Sequence, residues 1–167
     1  MPPVKSPARP KNSTPGDNAL RALIRAFGLV DRVMQPYFAR FGISGSQWGV
    51  LRNLYRAEQE GLPALRLTDL GKRLLIRPPS VTGVVDRLER AGLLERGGSP
   101  DDLRAKPVRL TPAGRELVGR VLEVHDGQVA RVLGGLSGPE QAELYRLLNR
   151  LEGHLHGLLE EQAPGQG

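Results

Sequence analysis

The sequence predicts a mainly α-helical protein with a small β wing, in which a winged helix-turn-helix lies between long N- and C-terminal helices. Two long segments, at about residues 18–40 and 112–160, carry apolar residues at every third or fourth position, which is the period of an amphipathic helix. Between them, Pro78 and Pro79 separate two shorter helical segments, because proline ends one helix and is tolerated in the first turn of the next. Two strand-like runs, LLER and PVRL, then flank a loop of turn-forming residues.

The chain ends differ in composition from this central part. Residues 1–16 are rich in Pro, Ser and Lys and offer almost nothing to bury, so they are predicted to form a disordered basic arm. Residues 17–161 are predicted to form one domain, with the winged helix-turn-helix at about 44–111. Residues 162–167 are predicted to be a flexible tail.

The first helices have recognisable start signals. The first is predicted from Asn18 to Arg40, and Ser44 with Gln47 three residues later is the pattern of a capping box that starts the second. After the break at residues 61–63, the run LRL is compatible with a short strand. Thr68 is the expected N-cap of a short helix over residues 69–75.

The next helix, from Ser80 to Arg90, has two distinct faces. Its apolar face carries Val81, Val84, Val85 and Leu88, and its other positions are left to solvent or to a ligand: Ser80, Thr82, Gly83, Asp86, Arg87 and Arg90. A helix N-terminus with small side chains suits close approach to a phosphate or to the major groove. Arg87 is long enough to reach a guanine edge or a phosphate. The weaker candidates are Arg73, Arg77 and Arg90, which are more typical of arginines that only neutralise phosphates. The alternative is an ordinary surface on a packed helix.

The C-terminal part also begins with start signals, at Thr111–Pro112 and at Ser137. The last helix carries a broad leucine stripe, defined here as Leu144, Leu147, Leu148, Leu151, Leu155, Leu158 and Leu159. Such a stripe is too broad for one small domain to bury, so a partner subunit is its simplest cover. The alternative is packing within the chain against the helix over residues 115–132.

Charge and composition limit the classes of function. The net charge is +6, and residues 66–110 hold ten basic and six acidic side chains, so a polyanion is a reasonable partner. The chain has no cysteine, His154 and His156 point about 200° apart on a helix, and Asp101 and Asp102 have no nucleophile nearby. These features predict no catalytic site, metal or cofactor. No apolar run of about 18 residues is present, so an intracellular protein without membrane contact is expected.

The order and spacing of several stretches resemble the MarR family of bacterial transcription regulators. The matching stretches are LTDLGKRL, SVTGVVDRLERAGLLER, DDLR and VRLTPAG, and the resemblance covers about residues 18–160. It implies a homodimer held by dimerisation helices at about 18–40 and 112–160, with one winged helix-turn-helix per subunit. It also implies a repressor that covers a pseudo-palindromic site on double-stranded DNA and releases it on binding a small phenolic or anionic molecule.

The same resemblance assigns roles to particular residues. Residues 80–90 correspond to the recognition helix, and Arg104 to the wing-tip arginine, with Asp102 as its partner. Leu103 replaces a second basic residue that many relatives carry there, so a weaker grip of the wing on DNA is expected. In the family, the region of Tyr37, Phe41 and Trp48 commonly forms the effector pocket, although ordinary core packing is the alternative for each of these residues.

Two other functional classes compete with a sequence-specific regulator. An enzyme is disfavoured by the scattered histidines and by the lack of nucleotide-binding motifs. A basic, sequence-indifferent or architectural DNA-binding protein of the same fold is the closer alternative. Competition with bulk DNA separates the two, because a regulator retains a preferred site at salt concentrations that remove non-specific binding.

Overall fold

The computed structural model describes residues 14–74, 78–97 and 107–162, and within them six α-helices accompany two short strands. The helices are α1 (Pro15–Ala39), α2 (Gly45–Gln59), α3 (Leu67–Leu74), α4 (Pro78–Arg90), α5 (Pro112–Leu133) and α6 (Gly138–Gln162). Strands β1 (Leu94–Arg96) and β2 (Val108–Leu110) form one antiparallel pair, in which Glu95 lies opposite Arg109. The predicted class, mainly α with a small β wing, is confirmed.

Helix α1 begins earlier than the predicted Asn18. Thr14 is its N-cap, because its side chain accepts a hydrogen bond from the backbone N–H of Asp17, and Pro15 occupies the first helical turn. Residues 15 and 16 therefore belong to the helix and not to the basic arm. The Thr-Pro pair is the same start signal as at Thr111–Pro112.

The capping box of α2 is confirmed in both directions. The backbone N–H of Gln47 donates to the Ser44 hydroxyl at 3.2 Å, and the backbone N–H of Ser44 donates to the Gln47 side chain at 2.8 Å. Two backbone donors at the helix end are thereby satisfied. Ile43 and Trp48, on either side of this box, are buried together in the core.

The segment before α3 differs from the prediction in two ways. Thr68 is not the N-cap, since the helix already begins at Leu67 and the backbone N–H of Leu70 donates to the carbonyl of Arg66. The run LRL is not a strand but a single bridge, in which Leu65 and Val108 exchange two backbone hydrogen bonds. The chain turns into α3 directly after this bridge, which leaves no length for further pairing.

The described chain divides into two compact units, one up to Glu123 and the other from Val124. In the first unit, which we call the lobe, every buried hydrophobic side chain lies between Tyr37 and Val121. Its fully buried leucines are Leu51, Leu54, Leu70, Leu88, Leu94 and Leu110. Burial of each such side chain contributes about 1.5–3 kcal/mol. The single domain over residues 17–161 stays a prediction.

The start of α5 is tied to the end of α4. Thr111 donates its hydroxyl to the carbonyl of Gly92 at 2.7 Å and accepts the backbone N–H of Gly114 at 3.1 Å. Gly92 has a φ of +71°, which suits the predicted glycine at the end of α4. A Cβ on Gly114 would lie 2.1 Å from the carbonyl oxygen of Leu93, so only glycine fits in the TPAG stretch.

The second unit contains the end of α5 and α6. Helix α6 starts at Gly138, where the backbone N–H and the hydroxyl of Ser137 both donate to the carboxylate of Glu140. These hydrogen bonds, that of the Ser137 side chain first, hold the pKa of Glu140 below its ordinary value. No residue of α6 is buried, and the leucine stripe stays 37 to 60% exposed.

Candidate nucleic-acid interface

Helix α4 has the two faces that its sequence predicts. Val81, Val84, Val85 and Leu88 are all buried in the lobe. The opposite side of the helix carries the exposed side chains Ser80, Thr82, Arg87 and Arg90 together with the half-buried Gly83. We call these five residues the recognition face. The buried valines fix the rotation of the helix, so this face is held toward solvent by the packing of the lobe.

One edge of the recognition face lines an open cleft of about 450 Å³. Ser80, Gly83 and Arg87 of α4 contribute to it together with Ser46 from the first turn of α2. A Cβ built on Gly83 would meet no atom within 4 Å, so this side of the helix is uncovered. Small side chains and an open edge allow another macromolecule to come close to the backbone of α4.

The two arginines of the recognition face have no acidic partner among the residues that the structure describes. Arg87 forms no hydrogen bond or ion pair there, and Arg90 donates only to the backbone carbonyl of Asp86, in its own helix, at 3.2 Å. Their positive charges are therefore available to phosphates or to guanine edges.

Other arginines of the basic segment are already neutralised. Arg73 of α3 binds Glu60 at 2.6 Å, and Arg109 of β2 binds Glu95 of β1 at 2.7 Å. The hydrogen bond and charge of Glu60 raise the pKa of Arg73 above its ordinary value. The total charge of residues 66–110 thus overstates the positive charge that is free of an acidic partner.

Asp86 does not face solvent freely, contrary to the sequence-based expectation. Its carboxylate binds the guanidinium of Arg96 in β1 at 2.5 Å, and Glu89, one turn further along α4, binds the same guanidinium. Burial lowers the pKa of Arg96, but the hydrogen bonds and charges of the two carboxylates raise it to a net value above the ordinary one. Sequence reasoning missed Arg96, because nothing in the spacing shows that this arginine, and not another, meets the two carboxylates.

Three residues predicted to contact DNA, Arg77, Asp102 and Arg104, lie outside the described residues. At the base of the wing, the backbone N–H of Gly97 donates to the carbonyl of Pro107 at 2.8 Å, so pairing extends one residue beyond the two strands. The roles of the wing-tip residues, and the weaker grip expected from Leu103, stay predictions.

The aromatic residues near α1 and α2 pack against each other. Tyr37 and Trp48 are buried, Phe41 is half-buried, and the rings of Tyr37 and Phe41 meet edge to face at 5.6 Å. The hydroxyl of Tyr37 donates to the carbonyl of Val121 at 3.0 Å, and burial raises the pKa of Tyr37. These contacts are those of a core, and an effector pocket at Tyr37, Phe41 and Trp48 stays a prediction.

Two further searches of the molecule give limited results. Among residues 14–74, 78–97 and 107–162, no three His, Asp or Glu side chains are grouped so that they would hold a metal ion. Within the same ranges, none of the helices has the length and apolar character needed to cross a bilayer.

The sequence matches known proteins over the lobe and beyond. A model of the MarR family matches residues 41–105, which include the recognition face and β1. The transcriptional regulator YkoM of Bacillus subtilis is 33% identical over 142 residues, which are 85% of this chain and 89% of that protein. The transcriptional regulator PecS of Dickeya dadantii is 33% identical over 134 residues, or 80% of this chain and 79% of that protein.

A solved structure shares the fold over most of the chain. BpsR of Bordetella bronchiseptica superposes with a TM-score of 0.72 at 27% identity, covering 81% of this chain and 98% of that one. The BpsR structure concerns the mechanism by which 6-hydroxynicotinic acid regulates DNA binding by BpsR.

Proposed function

The chain belongs to the MarR family and is a DNA-binding transcription regulator, not an enzyme, and from this premise we propose that it is a ligand-responsive repressor of a pseudo-palindromic operator. It acts as a homodimer in the cytoplasm. The observation that carries the proposal is the recognition face of α4, where small side chains are followed by two arginines that have no acidic partner among the described residues.

The dimer explains how two copies of this face would read one site. A two-fold dimer presents one recognition helix to each half-site, so the operator mirrors the symmetry of the protein. The support for a dimer is the exposed leucine stripe of α6 together with the exposed apolar side chains in the first half of α1, where Ile24 and Phe27 are 62% and 76% exposed. Helix faces that expose so many large apolar side chains are typical of interaction sites.

Each residue of the recognition face has a distinct proposed role. Ser80, Thr82 and Gly83 let the backbone of α4 approach the major groove, and Arg87 reads a base edge from the rim of the cleft. Arg90, further along the helix, binds a phosphate, as does Arg77. Arg104, held by Asp102, contacts DNA from the wing and responds to the width of the minor groove.

An anionic or phenolic effector is proposed to release the operator. The support is the regulation of BpsR by an aromatic acid, 6-hydroxynicotinic acid. In this chain the aromatic cluster of Tyr37, Phe41 and Trp48 is the candidate binding region, since its rings lie where α1 meets α2. The test is whether aromatic acids quench the fluorescence of Trp48, the single tryptophan, and weaken DNA binding at the same concentrations.

The experiment that tests DNA recognition begins with genomic fragments retained by the purified chain. Titrations of Arg87→Ala on the selected duplex and on a scrambled duplex should show a larger loss on the selected one. A base contact is worth about 1–3 kcal/mol of discrimination, so the preference should fall by roughly 5- to 150-fold. The matched control is Arg120→Ala, which removes an exposed arginine from α5 and should leave the preference unchanged.

A sequence-indifferent protein of the same fold gives a different result. Such a protein would retain no preferred fragment in competition with bulk DNA. Arg87→Ala would then lower the affinities for the selected and the scrambled duplex equally. Arginines that lack an acidic partner among the described residues suit either protein. The small side chains around Arg87 favour the regulator, because they allow the close approach that reading of base edges requires.

A further inference from the structure

The recognition helix carries two acidic side chains among its DNA-facing arginines. Asp86 immediately precedes Arg87, and Glu89 immediately precedes Arg90, so both carboxylates border the recognition face. Taken alone, these four side chains have no net charge. A carboxylate close to the DNA backbone is repelled by the phosphates, so two free carboxylates here would oppose binding.

Arg96 engages both of these carboxylates at once. Its guanidinium binds Asp86 through one terminal nitrogen and Glu89 through the other, and the Arg96 side chain is only 22% exposed. The two carboxylates thus share one partner, which comes from the wing and not from α4 itself. With Arg96 included, the group of five charged side chains has a net charge of +1.

The backbone that carries Arg96 is held firmly. Arg96 lies opposite Val108 in the β1–β2 pair, and Val108 is itself bound to Leu65 through two backbone hydrogen bonds. Both Val108 and Leu65 are buried in the lobe. The backbone of Arg96 is therefore fixed to the lobe, and the guanidinium joins α4 to it through the two carboxylates.

We propose that Arg96 is a positioning residue for DNA binding, which fixes α4 against the wing and withdraws the carboxylates of Asp86 and Glu89 from the approaching phosphates. It does not itself contact DNA, because both ends of its guanidinium are already engaged. The proposal rests on the proposed role of α4 in DNA recognition. The partner that α4 contacts is duplex DNA, through its phosphate backbone and its major groove.

A double-mutant cycle on DNA affinity tests this role. The variants are Arg96→Gln, the pair Asp86→Asn with Glu89→Gln, and the triple combination. Affinities for the selected duplex and for its scrambled version are measured at several salt concentrations. The thermal unfolding midpoint of each variant is also measured, together with its DNA-competent fraction, which is the share of the protein that is able to bind DNA. The control is Arg109→Gln, which removes one charge from β2 without touching α4, since Arg109 binds Glu95.

The expected result is strong coupling between Arg96 and the two carboxylates. Arg96→Gln should lower the affinity for the selected duplex by about tenfold or more, and this loss should exceed that of Arg109→Gln. A loss of this size lies within the coupling energies typical of an ion-pair network. In the variant in which both carboxylates are already neutralised, Arg96→Gln should lower this affinity by less than about threefold. The preference for the selected duplex should also fall, because α4 loses its fixed orientation.

Each other outcome overturns the proposal in a recognisable way. Equal losses with and without the carboxylates, with the salt slope lowered by about one unit in both, would mean that Arg96 binds a phosphate directly. A lower thermal midpoint with unchanged affinity of the DNA-competent fraction would mean a purely structural ion pair. If the wild-type chain preferred no duplex, the proposed function would fail first, and the role of Arg96 with it.

Discussion

The lobe and helix α6 use the same residue type in opposite ways. Leu51, Leu70 and Leu88 of the lobe have no exposed surface, whereas the leucine stripe of α6 keeps 37 to 60% of each side chain exposed. Both regions have the apolar period of an amphipathic helix. The difference is that the lobe contains helices and strands that cover its leucines, while the stripe has no such cover within the described chain.

Helix α1 shows the same contrast within a single element. Tyr37 and Phe38, near its end, are 4% and 5% exposed and belong to the core of the lobe. Phe27, some three turns earlier on the helix, is 76% exposed. An apolar period therefore tells that a helix face will be covered, but not whether the same chain or a second copy supplies the cover. This contrast can be broken or sharpened by matched substitutions.

The largest effect is expected at Gly114, where the lobe is most tightly closed. Gly114→Ala would place a Cβ 2.1 Å from the carbonyl oxygen of Leu93, a clash with backbone that no side-chain movement relieves. The free energy of unfolding should fall by about 4 kcal/mol or more, in the exceptional range for single substitutions. Denaturant titration followed by Trp48 fluorescence measures it.

Gly119 is the matched control in the same helix. A Cβ there would meet no atom within 4 Å, so Gly119→Ala should stabilise α5 by about 0.5–1 kcal/mol. If the two alanine variants had equal stabilities, the close approach of Leu93 to α5 would be wrong.

The next effect compares leucines of the two regions directly. Leu88→Ala removes a fully buried side chain and should lower the free energy of unfolding of the lobe by about 2–5 kcal/mol. Leu148→Ala, at a position that is 40% exposed, should change the free energy of unfolding measured by Trp48 fluorescence by less than about 0.5 kcal/mol. The same substitution should weaken association between subunits. Unfolding curves and sedimentation of both variants separate the two effects. Equal shifts of the Trp48 transition would remove the distinction between the regions.

A smaller effect is expected from ion pairs of the two regions. Arg115 of α5 binds Glu58 of α2 through two nitrogens, and Glu58 is only 14% exposed, whereas Arg146 and Glu143 are exposed neighbours on α6. Arg115→Ala should destabilise the lobe by about 1 kcal/mol or less, because solvent screens the exposed arginine. Arg146→Ala should leave the Trp48 transition unchanged. A larger shift from Arg146→Ala than from Arg115→Ala would contradict this ranking.

Local signals in the sequence predicted most of the fold. The capping box of Ser44 and Gln47, the Thr111–Pro112 start and the glycine after α4 act over a few residues, so they can be recognised without knowledge of the tertiary structure. The apolar face of α4 was likewise predicted, because its period fixes which residues are buried. The predicted start of α3 was wrong. The helix begins directly after the bridge between Leu65 and Val108, and this bridge depends on a residue 43 positions away.

The candidate site was predicted less completely than the fold. The outward position of Arg87 followed from the helical period, but the pairing of Asp86 and Glu89 with Arg96 depends on how the wing packs against α4. Spacing along the chain does not determine which of several arginines finds a carboxylate. For this reason Asp86 was predicted to face solvent or a ligand, while in the structure it binds Arg96 of β1.

The most direct test of the central claim, that the leucine stripe is an interface between two copies that read one operator, is the sedimentation mass of the chain. The wild-type chain should sediment at twice the mass of one 18.2 kDa chain, and two chains should bind one selected duplex. The variant with both Leu151→Asp and Leu155→Asp, at the centre of the stripe, should sediment as a single chain with an intact Trp48 transition. A wild-type chain that sedimented at 18.2 kDa under conditions where it binds its selected duplex would contradict the account.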